Sequence, residues 1–313
     1  STGSPSRPRP ARRPSAGRAA GHPADRVLLL TAVLCVLALL ATGVGLLVDD
    51  RTVAGAPVWA KPAKFAVSIA VYVATLALVL RLSTGHRRTV ALLAWTTAAA
   101  LAGELALIAL QAWRGTTSHF NVATSLDAAV FSAMGVLVTL VFLAAAGAAV
   151  LLLRQRGLPP TLAAGVRGGL LVTLLGMAEA GLMLGNRTVV AAAGAHAVGV
   201  ADGGPGLPLT GWSTVAGDLR VAHFVGLHGL QVLLLLAWVV HRRAGRVPER
   251  AAARSVTVLS VGYAGIVVLL AWQAARGLPL LRPDAVVTAV AAGWAVAVAL
   301  ATVAVLHPRR VGA

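Results

Sequence analysis

Lysine, asparagine and cysteine are close to absent from this chain: its 313 residues include two Lys, two Asn and one Cys. The single cysteine, Cys35, lies inside an apolar run, which excludes an intramolecular disulfide and any Cys-x-x-Cys redox or metal pair. Charge is scarce as well, at 12% of residues with only ten acids. That is too little polar surface to coat a soluble fold of this length. No Walker A loop and no His-Glu-x-x-His helix occurs. The chain is instead 58% hydrophobic with a formal net charge of +17. The basic residues form short clusters between apolar runs rather than one face, so nucleic acid is excluded as a partner.

A transmembrane helix needs roughly 20 apolar residues to cross about 30 Å of hydrocarbon. Runs of that kind fall at 27–48, 64–82, 89–113, 126–153, 168–186, 218–241, 255–275 and 284–306. The fifth is the weakest, being interrupted by Glu179 and rich in Gly and Ala. The expected fold class is therefore all-α, an integral membrane bundle of about eight helices arranged as four hairpins. Residues 1–26, rich in Pro, Arg, Ser and Gly, read as a disordered basic tail. The transmembrane domain spans 27–307, and 308–313 form a short second tail. The first run is longer than a signal-peptide core and lacks a small-residue cleavage site, so it is expected to be a retained helix.

Alternate loops differ sharply in charge. One set holds nineteen Arg and no Lys, and the other holds eight basic residues and six Asp. Basic loops stay cytoplasmic, so both tails are expected inside, with anionic lipid headgroups as partners. The opposite loops are longer and chemically varied. Helices three and four look like helices five and six. Each pair has a mid-helix glutamate (Glu104, Glu179), a loop histidine (His119, His196) and an Asp eight residues before a Gly (Asp127, Asp218). Gln111-Ala-Trp-Arg114-Gly115 also echoes Gln273-Ala-Ala-Arg276-Gly277.

Ionisable groups inside a bilayer are costly and mark sites or pathways. Glu104, Glu179 and His228 lie about 15, 12 and 15 Å below the outer ends of their helices at the helical rise. Their shared depth admits two chemistries. One is a metal or haem centre with His228, Glu104 and Glu179 as ligands or acid-base groups, and His223 as a further cofactor ligand. The other is a proton relay. His223 and His228 are five residues apart, about 140° around a helix, so they do not converge on one small ion. A role limited to helix packing is the third reading. The metal and the cofactor stay unnamed at this level.

Substrate contacts are expected from the outer strings: Lys61 and Lys64, Arg114 with His119 and Asn121, and Asp218 with Arg220. Both Lys lie within four residues in a chain that otherwise uses Arg, and a compact ammonium differs physically from a planar guanidinium. Phe224 to His228 spells the Phe-x-x-x-His of CAAX-type proteases, without that family's paired glutamates. Eight helices with outer histidines resemble haem A synthase in outline, but its motifs are not matched. The strings around Lys61, His119 and Trp212 resemble an uncharacterised family of bacterial multi-pass membrane proteins over most of helices two to six. That resemblance implies an inner membrane and says nothing of substrate, so a small solute and a lipid both stay open.

Overall fold

The structure is a computed structural model that describes residues 24–186, 192–243 and 248–306. Most of both expected tails, and the basic residues Arg187, Arg246, Arg309 and Arg310, lie outside the described residues. Nine helices are present among the described residues: α1 (Asp25–Val48), α2 (Ala60–Leu80), α3 (Arg87–Trp113), α4 (Ser125–Arg154), α5 (Pro160–Gly185), α6 (Arg220–Leu227), α7 (Gly229–Arg243), α8 (Glu249–Ala275) and α9 (Ala285–Leu306). Seven of them are long and apolar enough to cross a membrane. α6 and α7 make an eighth span if counted together, bent by 45° at His228.

Two helices begin earlier than hydropathy indicates. α5 starts at Pro160 and α8 follows Pro248, because proline presets the helical φ where its missing N–H is not needed. The two starts also hold each other. Glu249 Oε1 accepts from the backbone N (3.2 Å) and Oγ1 (3.0 Å) of Thr161, supplying α5 with a cap from another helix. At the start of α4, Thr124 accepts from Asp127 N at 3.1 Å and donates to Asp127 Oδ2 at 2.7 Å.

α5, the weakest run in hydropathy, is central to the packing: it meets α4, α6, α7 and α8. Its glycines explain both facts. A Cβ on Gly165 would stand 2.6 Å from the Ala237 Cβ, one on Gly169 2.8 Å from the Leu230 Cα, and one on Gly176 2.5 Å from the Gly226 carbonyl carbon. Small residues at these spacings bring backbones together where lipid offers no hydrophobic drive. Most of the remaining contacts run in sequence, α1 on α2, α2 on α3, α3 on α4, α7 on α8 and α8 on α9, with α1 also meeting α3 and α6 meeting α8. Leu28, Ile69, Val73, Leu76 and Leu80 make the core between α1 and α2. α9 buries only Val287.

The break in the eighth span frees backbone groups that lipid would leave unpaired. Thr173 of α5 fills that need: Leu230 N donates to its Oγ1 at 3.1 Å, and the same hydroxyl points at Leu227 O from 3.5 Å. The Tyr263 hydroxyl of α8 donates to Val225 O at 2.8 Å.

The long loops gather at one end. β1 (Thr52–Val53) and β2 (Ala56–Pro57) pair through a turn with positive φ at Ala54 and Gly55. β3 (Ala197–Val198) pairs with β4 (Gly217–Asp218). A Cβ on Gly203 would stand 2.9 Å from the Ala54 carbonyl oxygen, so the first hairpin rests on the Gly203-Gly204-Pro205-Gly206 loop. The echo noted in sequence between Gln111–Gly115 and Gln273–Gly277 is one helix-ending device used twice. Gly115 N donates to Ala112 O and Thr116 N to Gln111 O, while Gly277 N donates to Ala274 O and Leu278 N to Gln273 O. Both glycines have positive φ, as this C-cap requires. Each preceding Arg then reaches an Asp at the start of the next helix, Arg114 to Asp127 at 2.5 Å and Arg276 to Asp284 at 2.7 Å.

Candidate functional site

Lys61, Glu104 and His119 form the centre of a polar cluster under the long loops, a cleft only in that Lys61 is half-buried and His119 keeps about a quarter of its side chain exposed. α2 supplies Lys61 in its first turn, which holds no acid. A cation there opposes the helix dipole, so its place has no local structural benefit. Among the described residues the Lys61 ammonium has neither a hydrogen bond nor an ion pair, though it lies within electrostatic reach of Arg220, Glu104, Lys64 and Asp202. Lys64, one turn on, donates to Thr210 O at 3.1 Å.

α3 supplies Glu104, which is 6% exposed. Its Oε1 stands 3.7 Å from His119 Nε2, and its Oε2 is buried without a partner. His119 comes from the α3–α4 loop, and Ser118 Oγ lies 3.1 Å from its Nδ1. Its ring stands 5.6 Å from Phe65 and 6.2 Å from Phe120, centroid to centroid. Burial, with the nearby charges of Lys61, His196 and His223, holds His119 well below the usual imidazole range. About a quarter of its side chain is nonetheless accessible, which suits a group lining a cleft rather than one packed in a core.

His196 closes the cleft from the long loop, its ring 5.0 Å from Phe120. Asp202 accepts from its ring Nδ1 at 2.5 Å and from the backbone N of Ala197 at 2.8 Å. Burial acts to raise the Asp202 carboxyl, but these hydrogen bonds outweigh it and bring it down to about 2. Burial dominates for His196 and lowers it despite Asp202. The pair is thus a neutral imidazole donating to an ionised carboxylate. His223 Nδ1 donates to Gly176 O at 2.7 Å, since a carbonyl can only accept, leaving Nε2 as an acceptor.

The remaining expected residues divide by how fully they are engaged. Asn121 donates to Thr116 Oγ1 (2.9 Å) and Thr117 O (3.0 Å) and accepts from Ala123 N (3.0 Å), so its polar atoms shape the loop. Arg114 is held by Gln111 and Asp127. Asp218, 2% exposed, accepts from Arg220 and from Ser213 N. Arg220 also donates to Gly211 O at 2.7 Å.

Glu179 is buried with neither oxygen partnered, within electrostatic reach of Asp218. His228 goes elsewhere. It sits at the α6–α7 break, 4.4 Å from the Phe224 ring, which in turn stands 5.6 Å from Trp212. Phe224 is 42% exposed, so this aromatic column faces outward from the bundle. Among the described residues no group of three or more His, Cys, Asp or Glu side chains is gathered to hold a metal ion. The His228, Glu104 and Glu179 set is therefore not assembled here, and shared depth did not imply a shared face.

Sequence reasoning missed Asp202, Thr173 and Tyr263, which belong to no pattern and act through partners far along the chain. Comparison with protein-family models, with curated proteins and with solved structures finds no match.

Proposed function

We propose that this chain is a proton-coupled transporter of a small anionic solute, set in a bacterial inner membrane with its arginine-rich end in the cytoplasm. The positive-inside bias supports that orientation, and it turns the cleft outward. The observation that carries the reading is a half-buried, unpaired Lys61 ammonium near a Glu104–His119 pair inside the apolar bundle. An unpaired cation recognises an anion, and a carboxyl and an imidazole 3.7 Å apart, beyond direct hydrogen-bond range, can pass a proton through one bridging water. The broken span supports transport, because discontinuous helices beside a polar site are a recurring feature of transporters.

The test uses protein reconstituted in vesicles and a panel of radiolabelled carboxylates, phosphate and sulfate. Uptake of one of them driven by an inward proton gradient, and lost in Lys61→Met, supports the proposal. Uptake of none, or uptake indifferent to Lys61, ends it.

A metal or haem centre is the second reading. It would draw on His119 and His196, whose rings stand 6.2 and 5.0 Å from Phe120. Elemental analysis and an optical spectrum of purified protein decide it. A stoichiometric metal or a Soret band lost in His119→Ala would move this reading to first place.

A further inference from the structure

At the arginine-rich end, opposite the cleft, a groove of about 750 Å³ runs between α5 and α8. Its mouth carries Arg156, Arg167 and Arg254, and its walls are mainly Ala163, Leu171, Val261 and Ala264. Leu171 and Val261 are more than half exposed, so the groove opens sideways to whatever surrounds the bundle. Among the described residues no carboxylate pairs with any of the three arginines. Arg167 uses one nitrogen on Gln155 O, and its Nε is buried without a partner.

We infer that this groove is a binding site for one anionic phospholipid, its phosphate on Arg156, Arg167 and Arg254 and an acyl chain along the apolar walls. The inference rests on the membrane reading but not on the cleft. Charge selects the occupant, since three guanidiniums without a carboxylate partner at the head of an apolar trough match a phosphate ester joined to hydrocarbon. Depth agrees with it. Arg254 to Ala264 covers ten residues of α8, about 15 Å, or half the hydrocarbon thickness, which is one leaflet. The sequence before residue 24 is a poor rival for the groove, because it carries five arginines and no acid.

Native mass spectrometry of the full chain, released from detergent with added phosphatidylglycerol or phosphatidylcholine, tests the inference. The expected result is a one-to-one phosphatidylglycerol adduct retained at least ten-fold better than phosphatidylcholine. Arg254→Gln, an exposed position that leaves folding intact, should reduce that preference several-fold, and Ala164→Phe in the groove wall should remove the adduct. Glu104→Gln should leave it unchanged, which separates this site from the cleft. Equal retention of both lipids, or a preference that survives Arg156→Gln, Arg167→Gln and Arg254→Gln together, overturns the inference. Displacement of the lipid by glycerol phosphate at similar concentration would also overturn it, since the apolar wall would then contribute nothing.

Discussion

Glu104 and His119 come from a helix and the loop that follows it, and the protein brings Oε1 of one within 3.7 Å of Nε2 of the other. Two groups acting as one proton-transfer unit should show non-additive losses. Under the transport proposal, Glu104→Gln and His119→Gln should each lower proton-driven uptake at least ten-fold, and the double variant little further. Vesicle assays of the three proteins check this. Losses that multiply would mean the two residues act separately.

Acid should weaken the fold through the loop histidines before any loop carboxylate. His119 and His196 are held below the ordinary value of 6.5, whereas in the unfolded chain they take up protons near it. The unfolded state therefore binds more protons below that pH, and stability falls as pH drops through about 6.5, by up to about 1.4 kcal/mol per unit for each histidine. Asp202, lowered to about 2, adds its loss only below its ordinary value of 3.8. Thermal unfolding in detergent at pH 7.5 and pH 5 should show the drop, and His119→Gln should make it smaller. A flat profile would contradict the burial of both rings.

The brace at the helix break predicts a cost for removing one hydroxyl. Thr173→Val keeps the shape of the side chain and leaves Leu230 N without its acceptor. Loss of a buried partner of this kind costs about 1–3 kcal/mol. Chemical denaturation should show that loss, together with faster hydrogen exchange confined to residues 226–232. A neutral substitution would mean that a neighbouring carbonyl replaces the hydroxyl.

Two Arg–Asp pairs built on the same cap should differ in value because they differ in burial. The Asp127 side chain is 5% exposed and Asp284 is 35% exposed. Asp127→Asn removes a carboxylate from the Arg114 charge at the less exposed pair and should lower the melting temperature more than Asp284→Asn does. Parallel melts of the two variants decide the order.

Span positions were legible in the sequence because lipid imposes one simple requirement, a sufficient apolar length. The early starts of α5 and α8 were not, since Pro160, Arg167, Arg250 and Arg254 depress hydropathy without ending a helix. Lys61 and His119 stood out as rare residues in unusual strings, and both line the cleft. The pairing of His119 with Glu104 did not, because depth along a helix says nothing about direction around it. His228 shows the same limit. It lies near the depth of Glu104 yet stacks beneath Phe224 on an outward face, at a break that only the side chains of Thr173 and Tyr263 make tolerable.

At the crossing of α5 and α6 no side chain separates Gly176 from Gly226, and a Cβ on either would collide with the other's backbone. Bare backbones in contact set how near two helices sit, so any carbon added there would push the short arm of the broken span off α5. His223 bonds the Gly176 carbonyl across the same contact and Tyr263 holds the arm from α8, so one glycine pair sets the spacing on which both bonds depend.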